Sequence, residues 1–68
     1  RNYGEILKEQ RLARGLTLKE VEKGTGINNG NLSRWECGKV LPSIYFCEIL
    51  ADFYGITLDE LIGRDIGK

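Results

Sequence analysis

Leu18-Lys19-Glu20-Val21-Glu22-Lys23-Gly24-Thr25-Gly26-Ile27-Asn28-Asn29-Gly30-Asn31-Leu32-Ser33-Arg34-Trp35-Glu36-Cys37 carries two short helical patterns with a break between them. The first ends near Gly24, a Thr25-Gly26-Ile27 turn follows, and the second begins at Asn28. Gly26 permits a positive φ without a Cβ clash, so the two helices can cross steeply. At about 100° per residue, with Leu32 as zero, Trp35 falls near 300° and Glu36 near 40°, on the inward side. Ser33 falls near 100°, Cys37 near 140°, Gly30 near 160° and Arg34 near 200°, on the outward side. Asn28, Asn29 and Asn31 crowd the N-terminus, where the helix dipole favours an anion.

Working outward, helix punctuation recurs along the chain. Asn2 with Glu5, Thr17 with Glu20 and Thr57 with Glu60 each fit a capping box, and Asn28 and Ser43 are further N-cap candidates. Leu16 with Val21, Ile27 with Leu32 and Ile56 with Leu61 stand in staple register. Gly15, Gly24 or Gly26, Gly38, Gly55 and Gly63 supply stops. These signals predict five helices near 3–14, 18–24, 29–36, 44–54 and 58–62, and scarce alternating patterns argue against strands. Inward positions fall at Leu7, Leu12, Val21, Ile27, Leu32, Trp35, Ile44, Cys47, Leu50, Ala51, Tyr54, Leu58 and Leu61. Residues 1–63 read as one domain and 64–68 as a tail or the start of a linker.

Composition narrows the function. Sixty-eight residues with 41% apolar and 29% charged side chains fit a small globular domain, and no apolar run is long enough to span a membrane. With no histidine and only Cys37 and Cys47, the usual zinc sets are excluded, and no cofactor is expected. The two thiols allow one disulfide on paper but read better as reduced, in a cytoplasmic chain. An enzyme is not expected, because the commonest general base near neutrality is missing and no nucleophile or phosphate-loop pattern occurs. Net charge is zero yet unevenly spread. Residues 1–39 hold eight bases (Arg1, Lys8, Arg11, Arg14, Lys19, Lys23, Arg34, Lys39) against five acids (Glu5, Glu9, Glu20, Glu22, Glu36). Residues 40–68 hold two bases (Arg64, Lys68) against five acids (Glu48, Asp52, Asp59, Glu60, Asp65). Such a chain can show a positive face to an anion while neutral overall. The outward residues suit base edges, since asparagine pairs with adenine and arginine with guanine. Read alone, Asn28-Asn29-Gly30-Asn31 fits a polar capping turn equally well.

From Tyr3 to Ile62 the chain resembles the XRE/Cro-like helix-turn-helix family, the lambda-repressor-like DNA-binding domain. The matching residues are Leu16-Thr17, Gly26-Ile27, Leu32-Ser33-Arg34-Trp35-Glu36, Gly38-Lys39, Pro42-Ser43, Gly55-Ile56 and Leu58-Asp59-Glu60-Leu61. The resemblance implies an all-α, five-helix bundle whose helices 2 and 3 form the helix-turn-helix over 18–37, with helix 3 entering the DNA major groove. Carried over residue by residue, Asn29, Gly30, Asn31 and Arg34 face bases, and Thr17, Leu18, Asn28, Ser33 and Lys39 lie near the phosphate backbone. It implies a transcriptional regulator, repressor-like, acting as a homodimer on two-fold symmetric double-stranded operators with half-sites about one helical turn apart. It also implies an ion pair between Arg11 in helix 1 and the inward-pointing Glu36.

Three positions depart from the family pattern. Leu18 replaces a glutamine that contacts DNA, Glu22 a small residue between the helices, and Thr25 a buried leucine. Glu22 must bend its stem outward, and it weakens attraction to phosphate if it faces DNA. Tyr45, Phe46, Ile49 and Phe53 exceed one inward stripe of helix 4, for either packing on helix 1 through Tyr3 and Ile6 or a dimer contact. Cys37 reads as a passive exposed thiol. The alternative function, suggested by neutral charge and Leu18, is a protein-interaction module that reuses the fold.

Overall fold

A computed structural model describes residues 2–63; the expected tail, 64–68, lies outside the described residues. Five α-helices follow in order: α1 Tyr3–Ala13, α2 Leu18–Thr25, α3 Asn29–Glu36, α4 Ile44–Tyr54 and α5 Leu58–Ile62. No strand occurs among the described residues. Each helix starts where its cap stands. Asn2, Thr17 and Thr57 close full capping boxes, while Asn28 and Ser43 cap α3 and α4 through their side-chain oxygens. Of the two candidate stops for α2, Gly26 takes the left-handed conformation (φ 78°), whereas Gly24 stays within the helix.

α1 packs on α3 and α5, α2 on α3 and α4, and α4 on α5. The central cluster joins Leu7, Val21, Ile27, Leu32, Trp35, Cys47, Leu50, Ala51, Tyr54 and Leu61, with Leu16, Leu18, Ile56 and Leu58 partly buried against it. Two residues expected inside are outside. Leu12 is 55% exposed, because it stands five residues, about 140°, from buried Leu7. The seat on α1's inward stripe, at Leu7 plus four, belongs to Arg11, which is half-buried. Ile44 is 67% exposed. It shares a face with Ala51 by spacing, but it occupies the first turn of α4, beside the exposed Val40 and Leu41, where no other helix stands over it. Conversely, Ile6 is fully buried although it was absent from the expected core.

The apolar surplus of α4 goes mainly elsewhere than to α1. Phe46 sits half-buried against Trp35 of α3, ring centroids 5.4 Å apart. Phe53 lies over Gly24 of α2, where an added Cβ would come within 2.5 Å of its ring. Tyr45 remains largely exposed.

Candidate nucleic-acid interface

The turn between α2 and α3 is secured by the side chain that departs from the family pattern. Thr25 donates its hydroxyl to the Val21 carbonyl (2.7 Å), and the same oxygen accepts from the Ile27 amide (3.1 Å). A buried leucine is therefore unnecessary here: the hydroxyl ties the last turn of α2 to the residue that re-enters the core. Ile27 is buried, and Asn28 then opens α3 by accepting from the Gly30 amide (2.8 Å).

α3 is seated by its inward face. Leu32 and Trp35 are buried, each contributing roughly 2–3 kcal/mol by removal from water. Its C-terminal end is gripped twice by α1. Gly4 lies so close that a Cβ there would meet the Glu36 and Trp35 carbonyl oxygens at 2.7 and 2.8 Å. Two turns further along the same face, Arg11 holds the Glu36 carboxylate in a two-pronged pair: Nε donates to Oε2 (2.8 Å) and Nη2 to Oε1 (2.9 Å). A third bond runs from Arg11 Nη1 to the Leu16 carbonyl (2.9 Å), which ties the α1–α2 loop to the same guanidinium. The two side chains are only 11% and 8% exposed. Hydrogen bonding to Glu36 holds the Arg11 guanidinium further above its ordinary value, so it stays charged. Arg14 continues the brace, donating to the Gln10 carbonyl (2.8 Å) and to the Tyr54 carbonyl, with its guanidinium 5.0 Å from the Tyr54 ring centroid.

The opposite face of α3 is open. Asn31 and Arg34 are exposed and linked, Arg34 Nη1 donating to Asn31 Oδ1 (3.3 Å). A Cβ on Gly30 would meet Asn28 Oδ1 at 2.9 Å and Arg34 Nη1 at 3.5 Å, so the bare backbone leaves room for both the cap and the guanidinium. Ser33 is half-buried on the flank, and Cys37 and Lys39 are exposed just beyond the helix. Thr17 is exposed at the start of α2, with its oxygen engaged by the Glu20 amide (3.1 Å). Leu18 does not stand free: it is half-buried against the core. Asn28 is exposed, but its side-chain oxygen Oδ1 is committed to the cap.

The sequence singles out Glu22 but not its partner. Glu22 reaches from α2 to α3, where its Oε1 accepts from Asn29 Nδ2 at 2.6 Å. Asn29 is thus half-buried with its nitrogen engaged, whereas Asn31 is exposed and held only through its oxygen, by Arg34. The signal was the departure at position 22 itself; the contact depends on the angle between two helices, which no local pattern gives.

Both cysteines are free, Cys37 exposed and Cys47 buried. No group of residues suited to holding a metal occurs among the described residues. No helix there is long and apolar enough to cross a membrane.

The chain is 40% identical over 58 residues to the HTH-type transcriptional regulator DdrOP3 of Deinococcus deserti, covering 85% of this chain and 45% of that protein. It is 34% identical over 64 residues to the HTH-type transcriptional regulator ImmR of Bacillus subtilis, covering 94% of this chain and 50% of that one. The chain therefore spans about half the length of these curated relatives. Among solved structures, the BldD DNA-binding domain of S. venezulae superposes with a TM-score of 0.78 at 29% identity, over 88% of this chain and 90% of that one. A helix-turn-helix family model matches residues 7–61. With five helices in this order and that match across most of its length, the chain belongs to the XRE-type helix-turn-helix family.

Proposed function

We propose that this domain binds double-stranded DNA sequence-specifically, as the DNA-reading part of a transcriptional regulator, with α3 in the major groove. The observation that carries the reading is the two-sidedness of α3: Leu32 and Trp35 are buried while Asn31 and Arg34 stand exposed on the far side. A helix held rigidly at its C-terminal end by Gly4 and Arg11 loses little freedom on docking, which favours selective contact. Asn31 and Arg34, with Asn29 and Gly30 at the helix start, read base edges; Thr17, Asn28, Ser33 and Lys39 set the register on phosphates. Leu18, half-buried, contributes apolar contact beside the backbone rather than a hydrogen bond. The relatives named as transcriptional regulators support this reading.

The domain acts as a homodimer on a two-fold symmetric operator, with half-sites about one helical turn apart. The exposed Leu41, Ile44, Tyr45 and Ile62 offer apolar area for that contact. They also favour a second reading, an interaction module with no strong DNA binding. Salt separates the two. Duplex affinity should fall steeply with salt, Lys39→Ala should weaken all sequences and flatten that slope, and Arg34→Ala should reduce discrimination between sequences. Equal loss on selected and random duplexes for Arg34→Ala contradicts its role. A duplex affinity indifferent to salt favours the interaction module.

A further inference from the structure

We propose that Glu22, by orienting Asn29, makes the start of α3 select a base that carries an exocyclic amine in the major groove. This rests on the DNA-binding reading above and names a specificity device within it.

Glu22 Oε1 and Asn29 Nδ2 lie 2.6 Å apart, across the turn that joins the two helices. Both residues are half-buried, so the contact is partly shielded from water. An ionised carboxylate only accepts, so the amide nitrogen of Asn29 must be the atom that faces it. A free asparagine can rotate to show a base either its donor or its acceptor end. Here that choice is removed. Toward the groove Asn29 retains the Oδ1 acceptor and at most one N–H.

Each base presents a fixed pattern to that set. Adenine offers the N6 amine next to the N7 acceptor, and cytosine offers the N4 amine; both satisfy Oδ1. Guanine shows N7 and O6, two acceptors side by side, and thymine shows O4. Guanine would then place acceptor against acceptor next to a negative charge, an arrangement that costs affinity. A small residue at position 22 would leave Asn29 free to turn its nitrogen outward, and guanine would be admitted. The carboxylate also repels phosphate, so Glu22 lowers binding to every sequence while sharpening one position.

The test uses duplexes selected by the chain from a random pool, then varied at each base pair in turn. Binding is measured for the parent, Glu22→Gln, Glu22→Ala, Asn29→Ala and Arg34→Ala, with thermal melts confirming that each folds; Glu22→Gln keeps the side-chain shape if the shorter variant does not fold. The parent should prefer adenine or cytosine over guanine by about tenfold at one base pair. Glu22→Ala should abolish that preference at the same pair that Asn29→Ala relaxes, Glu22→Gln, whose amide can turn either end to Asn29, should weaken it, and both should strengthen binding to random duplex. If the Glu22 variants keep every preference while Arg34→Ala relaxes its own position, this proposal falls and the DNA-binding reading stands. If the parent selects no duplex, both fall.

Discussion

Replacing Arg11 by alanine strands the Glu36 carboxylate, and the structure sets the scale of the loss. Three hydrogen bonds at 2.8, 2.9 and 2.9 Å disappear, two of them between full charges, and the carboxylate left behind is only 8% exposed. Removing one partner of a buried pair costs roughly 3–5 kcal/mol, and because Arg11 itself covers the carboxylate, its loss readmits water and places the cost near the lower end, about 3 kcal/mol. For a domain of this size, whose whole stability is about 3–10 kcal/mol, that is a large fraction. The melting temperature should drop by about 12–24 °C, followed by far-ultraviolet circular dichroism with urea unfolding as a second measure. Replacing both partners by apolar residues of similar size, Arg11→Met with Glu36→Leu, removes the charge as well as its partner. It should recover most of the stability, because the loss comes chiefly from an uncompensated charge. A single Arg11→Ala variant within about 0.5 kcal/mol of the parent, the spread of ordinary surface substitutions, would refute the reasoning.

Other outcomes follow from the same contacts. Gly4→Ala should destabilise by about 1–2 kcal/mol despite alanine's better helix propensity, because the obstructing atoms are backbone carbonyls; unchanged urea midpoints would contradict this. Burial, with Glu36 adding to it, pushes the Tyr54 phenol up to about 12, against the opposing pull of Arg11 and Arg14. A folded-state value above the unfolded one means a contribution that is whole below pH 10 and lost between pH 10 and 12, up to about 2–3 kcal/mol. Urea unfolding should weaken over that range more for the parent than for Tyr54→Phe, and parallel curves would remove the idea. Cys37 should react at once with a thiol reagent, whereas Cys47, buried and with its thiol pushed up by burial, should react only as the domain opens. Equal rates would contradict that order.

The helix bounds were legible because caps are local: Asn2, Thr17, Ser43 and Thr57 announce a helix from within four residues of sequence. The two faces of α3 were legible from spacing alone, and Arg11 with Glu36 from spacing joined to the family resemblance. What stayed hidden depends on how helices meet. A glycine inside α1 looks like a weak helix residue until Gly4 is seen against the carbonyls of α3. Leu12 looked like core because it is apolar, yet Arg11 holds the inward seat, since a charge with a partner can occupy it. Ile44 lies at the correct angle but in a turn that nothing covers. The Glu22–Asn29 bond needs the crossing of α2 and α3 to bring its partners together.

The most direct measurement is a titration of the nitrogen-labelled chain with its selected duplex, followed residue by residue by nuclear magnetic resonance. The largest shifts should fall at Asn29, Gly30, Asn31 and Arg34, with smaller ones at Thr17 and Lys39, all weakening as salt rises. Shifts centred instead on the apolar groove lined by Tyr3, Leu41, Pro42 and Ile62, with α3 unperturbed, would contradict the docking of α3 on DNA.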